Sequence, residues 1–556
     1  MPDLYDTTLR DGTQREGISL TVADKLKVAA LVDGLGVAYI EGGWPGANPK
    51  DTEFFRRAAQ GELALQHATL TAFGMTRRPG RDAATDPGLT TLLGAATGVV
   101  CLVGKSWDTH VTEALATSLD ENLAMVADSV ALLVGEGRRA FFDAEHFFDG
   151  YAADPAYALG VVDAAVQAGA ECVALCDTNG GALPDQVEAV VREVVARVGG
   201  RAQVGIHVHN DTACAVANSL VALRAGATHV QGTVNGVGER CGNADLCSII
   251  GNLELKRGLR VLPAGALGRL TYVAHSVAEV MNLVPDPHAP YVGHAAFAHK
   301  AGLHVSALAK NADLYQHVDP ARVGNQLRLL VSELAGRSTI VLKGRDLGVD
   351  LDGDQEAVGR ILDRVKKLEH AGYAFEAADA SFELLVRAET GTLVERFRLE
   401  SFRAIVERRE DGRVVAEATV KVWIAGEEGA PATDGGRGSA GEEGAQATDG
   451  GWRRVIGTGE GNGPVDALDH AFRAAVADQF PGLARVHLAD YKVRIIDQGQ
   501  GTGATTRVLV SSTDGDRDWE TVGVSPNLIE ASWRAMADAY TYGLLQHDPE
   551  ESSARA

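Results

Sequence analysis

The sequence predicts an α/β chain that opens with a (β/α)8 barrel, passes through a helical connecting subdomain and closes with an α+β domain. Three observations predict it. Eight short apolar or β-rich runs alternate with stretches of helical period over residues 1–265, a mainly helical and His-rich pattern covers 266–369, and strand-rich segments fill 370–556. A chain of 556 residues also exceeds one ordinary core, because domains hold about 100 to 200 residues.

The eight runs lie at 4–7, 38–41, 68–73, 98–103, 139–143, 172–176, 204–207 and 229–232, and they return at intervals of about thirty residues. A doubly wound sheet closes with five or six strands, so eight successive units favour the closed barrel. The first helix is legible in detail. Thr21 is placed to cap a helix over 22–35, Val22, Leu26, Ala29, Ala30 and Val32 form its apolar stripe, and Gly36 stops it. Helical period resumes over 267–283 and breaks in the Pro-containing stretch 284–290.

In the last domain strands are expected at 380–387, 397–407, 413–423, 491–496 and 506–511, and helices at 464–477 and 526–542. Each of those helices follows a strand and a Gly-containing turn, so the domain reads as two copies of one unit. Between them GEEGAPATDGG (426–436) nearly recurs as GEEGAQATDGG (441–451), and a disordered low-complexity insert is expected at 425–452. Such Gly-rich, acidic sequence buries too little apolar area to offset its ordering entropy.

Composition narrows the function. Lys and Arg number 52 against 75 Asp and Glu, a formal charge of −23, and so acidic a surface repels polyphosphate; nucleic acid and anionic membranes are not expected partners. Apolar runs stay short of the roughly 20 residues that span a bilayer, and the start lacks a basic-then-apolar signal, so a cytoplasmic location is expected. The six cysteines form neither a disulfide framework nor a CxxC pair, which favours reduced thiols packed in the core. GTGEGNG (457–463) and GQGTG (499–503) lack the βαβ context of a dinucleotide fingerprint and read as turns and close contacts.

Barrel enzymes place their chemistry at the C-terminal ends of the strands. Directly after the runs stand Arg10 and Asp11, Glu41, Lys105, Glu145, Asp177 and Thr178, His207 and His209, and Asn243. His207 and His209 are two apart at the end of an extended segment, so both imidazoles face one side about 6.6 Å apart. With the carboxylate of Asp11 they suit a divalent ion such as Mg²⁺, Mn²⁺, Co²⁺ or Zn²⁺, and the amide oxygen of Asn243 offers a fourth ligand. A 2-keto acid can chelate such an ion through its carboxylate and ketone oxygens. Arg10 then stands where a developing alkoxide would need a positive charge, and Thr178 where a hydroxyl could bind the carboxylate.

The segments LRDGTQREGISLTVADK (9–25), HVHND (207–211) and NGVGERCGNADL (235–246) resemble, in order and spacing, the signatures of the 2-isopropylmalate, homocitrate and citramalate synthase family. The resemblance covers nearly the whole chain. It implies a metallolyase-type barrel that condenses acetyl-CoA with a 2-keto acid, with Asp11, His207, His209 and Asn243 on the metal and Arg10, Glu145 and Thr178 around the keto acid. It also implies a homodimer and a C-terminal domain that regulates and dimerises, with isoleucine or leucine as feedback inhibitor. His304, in HKAGLHVSA (299–307), resembles the family histidine that reaches a neighbouring barrel; either it, through water, or Glu145 is expected to take the proton from the acetyl methyl.

FFDAEHFFDG (141–150) and LVSELAGRS (330–338) look most like the citramalate-forming branch, and VGNQL (323–327) lacks the Tyr that isopropylmalate-forming members carry after VGR. Pyruvate is therefore the expected keto acid, toward isoleucine biosynthesis. 2-Isopropylmalate or homocitrate formation, and a carbon–carbon lyase or aldolase on the same barrel, are the alternatives.

Overall fold

Tyr5 pairs with Tyr39 on one side and with Gln231 on the other, and these two parallel pairings close a sheet of eight strands into a barrel. The computed structural model describes residues 1–308, 310–332, 335–426, 448–449, 451–497, 501 and 503–546. The barrel strands are β1 (Asp3–Asp6), β2 (Tyr39–Gly43), β3 (Thr69–Met75), β4 (Val99–Lys105), β5 (Arg139–Glu145), β6 (Cys172–Asp177), β7 (Gln203–Val208) and β8 (His229–Gly232). All eight expected runs are strands, in the expected order.

The intervening helices include α1 (Val22–Asp33), α2 (Pro49–Arg57), α3 (Pro87–Gly94), α4 (Leu119–Gly135), α5 (Phe147–Ala153), α6 (Pro155–Gln167), α7 (Pro184–Val198), α8 (Ala215–Ala225), α9 (Leu246–Gly251) and α10 (Leu270–Val280). Thr21 caps α1 as the sequence suggests, with Asp24 returning the bond. Its buried face differs: Lys25, Val28, Ala29 and Val32 point inward, whereas Ala30 is exposed, because Lys25 turns in to pair with Asp51. One core lies between sheet and helices, and a second, with Tyr5, Tyr39, Phe73 and Phe141, fills the barrel itself. His229 closes that inner layer, its ring 5.2 Å from that of Tyr5, and burial pushes its pKa down to about 3.

The chain divides into two compact units, Met1–Phe297 with Gln316–Leu327, and Ala298–Tyr315 with Arg328–Ala556. The second contains β9 (Ala298–His299) paired with β10 (Arg328–Leu329), and the helices α11 (Gly302–Leu308), α12 (Arg337–Asp346), α13 (Gln355–His370) and α14 (Asp379–Glu389). It continues with β11 (Phe397–Arg408), β12 (Val414–Ala425), β13 (Thr448–Asp449), β14 (Trp452–Gly461), α15 (Pro464–Val476), β15 (His487–Ile495), β16 (Thr506–Thr513), β17 (Asp518–Ser525) and α16 (Leu528–Gln546).

Two antiparallel sheets, ordered β11-β12-β14-β13 and β15-β16-β17, are each followed by one helix, which is the repeated unit expected from the sequence. The GTGEGNG glycines serve packing. A Cβ on Gly457 would lie 2.1 Å from the carbonyl oxygen of Ala471 on α15, and one on Gly523 of β17 would lie 2.0 Å from that of Ala531 on α16. In both copies, then, the helix sits against bare strand backbone. Of the insert expected at 425–452, residues 427–447 and 450 lie outside the described residues.

The strand expected at 380–387 is instead the helix α14. Phe382 and Val386 are four apart and both buried, and Glu383 pairs with Arg387 at 2.9 Å across one turn. That spacing, in a segment rich in Ala, Leu, Glu and Arg, is helical. β14 and β17 escaped the sequence pattern, because glycines in the one and the charged start of the other mask strand propensity.

Candidate active site

At the C-terminal mouth of the barrel a cavity of about 260 Å³ is lined by Arg10, Asp11, Lys105, Glu145, Thr178, His207 and His209, with Trp44, Phe73, Met75 and Val103 as apolar walls. Each polar group arrives on the end of a strand. Asp11 follows β1 and starts a short 3-10 turn over Gly12–Gln14, which Gly12 N secures on Thr7 O at 3.1 Å. Asp11 is 3% exposed.

His207 is the penultimate residue of β7 and His209 follows the strand, bridged to Asn243 of the 235–246 loop. That loop folds back on itself at Gly242, whose φ is +89° and where a Cβ would lie 2.0 Å from Gly236 O, so no other residue fits. Asn243 N donates to Gly236 O and Ala244 N to Val208 O, which fastens the loop to the end of β7.

His207 Nε2 and His209 Nε2 lie 3.1 and 3.6 Å from Asp11 Oδ2. One ligand atom from each of the three lies within 4.8 Å of the others, a grouping able to hold a metal ion. Asn243 Oδ1 and His209 Nδ1 are buried and find no hydrogen-bond partner among the described residues, an expensive condition unless something else binds there. The donor set, two imidazoles, a carboxylate and an amide oxygen, fits a divalent cation. Burial raises the Asp11 carboxyl, but the neighbouring Arg10 charge and the His207 hydrogen bond outweigh it and hold the group ionised. Burial, with the charge of His207, lowers His209 to about 4, which leaves it neutral at pH 7 and free to ligate. His207 moves upward, because Asp11 more than offsets its desolvation.

Arg10 lies between two carboxylates. Its Nε donates to Glu41 Oε2 at 2.6 Å, its Nη1 is 3.4 Å from Asp11 Oδ2, and its guanidinium sits 3.9 Å over the Phe73 ring. Desolvation works against its charge, but Glu41 and then Asp11 keep it firmly cationic. Glu41 also accepts from Tyr5 and Thr7, so the anchor of Arg10 is itself fixed. Glu145 is paired with Lys105 from the adjacent strand. Thr178 Oγ1 accepts from His146 N at 2.9 Å, which leaves its own O–H to donate elsewhere.

The barrel thus gathers Arg10, Asp11, Glu145, Thr178, His207, His209 and Asn243 at one end. His304 is not in that set. It stands on α11 of the second unit, stacked on Tyr315 with ring centroids 4.2 Å apart. Asp177, which also follows a strand, accepts from Gly181 N and Ala182 N and so is spent on a turn. Sequence reasoning passed over Asp143, Gln231 and Arg240. Asp143 and Arg240 line the cavity, and Gln231 lies 2.8 Å behind His207. For Asp143 and Gln231 the available signal was a polar residue on a barrel strand at an inward position, where apolar side chains are the rule, whereas Arg240 stands on the loop after β8.

Fold and site together define a barrel of the HMGL-like class with a metal-capable mouth. Residues 1–277 match the HMGL-like family, residues 291–372 the homocitrate synthase post-HMGL domain-like family, and residues 376–544 the LeuA allosteric (dimerisation) domain. An (R)-citramalate synthase of Streptomyces coelicolor is 56% identical over 98% of this chain and 96% of its own length. Those of Aquifex aeolicus and Synechocystis are 47% and 48% identical, over 98% and 97% of this chain and 98% and 96% of their own lengths. The chain belongs to the family of these synthases, together with the 2-isopropylmalate and homocitrate synthases.

Proposed function

We propose that the chain condenses acetyl-CoA with pyruvate and hydrolyses the thioester, giving (R)-citramalate and free CoA, as a carbon-chain extension step toward isoleucine. The observation that carries this is near end-to-end identity with several (R)-citramalate synthases, 44 to 56%. The acyltransferase activity follows from the same kinship.

Asp11, His207, His209 and Asn243 are the proposed holders of a divalent ion, Mg²⁺, Mn²⁺, Co²⁺ or Zn²⁺. Such an ion, when bound, supplies Lewis acidity toward the ketone of a chelating keto acid. Arg10, kept cationic and rigid by Glu41, balances the negative charge that grows on the ketone oxygen. Thr178 directs its free O–H at the keto-acid carboxylate. Glu145, which is paired with Lys105, or His304 acting through water, takes the proton from the acetyl methyl. The aromatic and aliphatic walls keep water from the nucleophilic carbon.

In the second unit a largely apolar cavity of about 310 Å³ is lined by Val465, Leu488, Tyr491, Val510 and Met536, with Asp466, Asp469 and Arg473 at its polar side. An apolar pocket with both charge signs suits a branched-chain amino acid, so feedback by isoleucine or leucine is assigned there. The match to a dimerisation domain supports a homodimer. No described helix is long and apolar enough to cross a membrane.

The deciding experiment is CoA release assayed with pyruvate, 2-ketoisovalerate and 2-ketoglutarate. Pyruvate should be preferred by at least about tenfold in kcat/KM, the scale on which one or two methylenes are discriminated. Preference for either longer acid would reassign the product, and no CoA release with any of the three would favour a lyase.

A further inference from the structure

Behind the mouth three buried polar side chains form a line across the barrel interior. Asp143 on β5, Gln231 on β8 and His207 on β7 are 3%, 1% and 4% exposed, so each must find its partners inside the protein. Gln231 Nε2 donates to Asp143 Oδ1 at 2.8 Å, and Gln231 Oε1 lies 2.8 Å from His207 Nδ1. On the far side of its ring His207 presents Nε2 to Asp11, 3.1 Å from Oδ2.

The chemistry of an amide gives this line a direction. Asp143 Oδ1 accepts whether its group is ionised or carries a proton on Oδ2, so it holds the NH2 end of Gln231. The oxygen end is thereby turned to His207. An amide oxygen can meet Nδ1 favourably only when that nitrogen bears the proton, and a neutral imidazole has one N–H. The proton on Nε2, which here faces Asp11, is then the one a bound cation displaces, and the lone pair so freed is aimed at the side where Asp11, His209 and Asn243 converge.

We propose that Asp143 and Gln231 are positioning residues that hold His207 in its Nδ1–H tautomer and so prepare Nε2 to bind a divalent cation. This rests on the assignment of His207 as a metal ligand made above. Holding the outer N–H of a ligating histidine fixes ring orientation and raises ligand basicity, and losing such a partner weakens metal binding about 10- to 100-fold. Gln231 can do this without adding a charge next to Asp11. The negative end of the line is set back at Asp143.

The test is Mn²⁺ titration of the full-length chain after chelation, with free ion counted by electron paramagnetic resonance. Q231M keeps the volume of the side chain and removes both polar ends. It should lower Mn²⁺ affinity at least about tenfold with an unchanged circular dichroism spectrum. Q231E sets two carboxylates face to face and should weaken binding as well. In Q231E/D143N the introduced amide can donate to the introduced carboxylate, whose other oxygen accepts from His207 Nδ1. This double variant should recover affinity to within about threefold of the parent, whereas a residue that only fills space would leave affinity unmoved throughout.

A folded Q231M with parental Mn²⁺ affinity overturns the proposal. If Q231M does not fold, equal affinities of Q231E and Q231E/D143N overturn it. H207A separates the two levels: parental binding in H207A removes the ligand assignment itself, while loss in H207A with parental binding in Q231M removes only the positioning line.

Discussion

Arg10 Nε donates to Glu41 Oε2 at 2.6 Å, joining the loop after β1 to β2 at the mouth of the barrel. The Glu41 side chain is fully buried and that of Arg10 is 13% exposed, so the pair is shielded from water. Removing Glu41 leaves the buried Arg10 charge with only its longer contact to Asp11, at 3.4 Å. Glu41→Ala should therefore destabilise the protein by about 3 to 5 kcal/mol and lower kcat as Arg10 loses its anchor. Urea unfolding and CoA-release kinetics on the same preparation check both, and a variant of parental stability would show that the pair contributes little.

His209 is expected to matter for turnover far more than for folding. Its Nδ1 has no partner among the described residues and its Nε2 faces Asp11, so His209→Ala removes a ligand atom without breaking a hydrogen-bond network. Metal content measured by plasma emission should fall and kcat should drop at least about a hundredfold, while Tm shifts little. Full activity in this variant would contradict the proposed ligand set.

Asp538 on α16 gives the second unit a pH dependence of definite sign. It accepts from Ser381 Oγ at 2.6 Å, and burial, only partly offset by that bond, pushes its carboxyl up to about 7. The unfolded chain releases this proton near pH 3.9, so the folded state binds it more tightly. The stabilisation is fully present below the unfolded pKa and is lost as pH rises through about 7. Thermal stability should therefore decline from about pH 4 to about pH 7 and level off above, and Asp538→Asn should flatten that decline. A slope unchanged in the variant would assign the effect to other groups.

Ala425 and Trp452 are register partners of β12 and β14, and Gly426 N donates to Gly451 O at 2.9 Å. The two strands are thus already side by side at the point where the low-complexity segment leaves and returns. Replacing residues 427–450 with Asn-Gly, a two-residue hairpin turn, should leave CoA-release activity within about twofold of the parent. A dead but folded deletion variant would give the segment a role that its composition does not suggest.

The sequence by itself determined the eight strands, because alternating burial inside and outside a parallel barrel writes eight apolar runs at near-constant spacing. It determined the doubled unit of the C-terminal domain too. It also named Arg10, Asp11, His207 and His209 as neighbours, since each stands directly after a run and strand ends in a barrel share one rim. It misjudged 380–387, where short apolar sequence carries too little period to separate helix from strand until the packing of Phe382 and Val386 decides it. Tertiary structure alone decided what lies behind the ligand atoms. Asp143, Gln231 and His207 come from strands 5, 8 and 7, and Arg10 and Glu41 from the loop after strand 1 and from strand 2. A hydrogen bond reads only distance and angle, and no spacing along the chain encodes which inward side chains meet across a closed barrel.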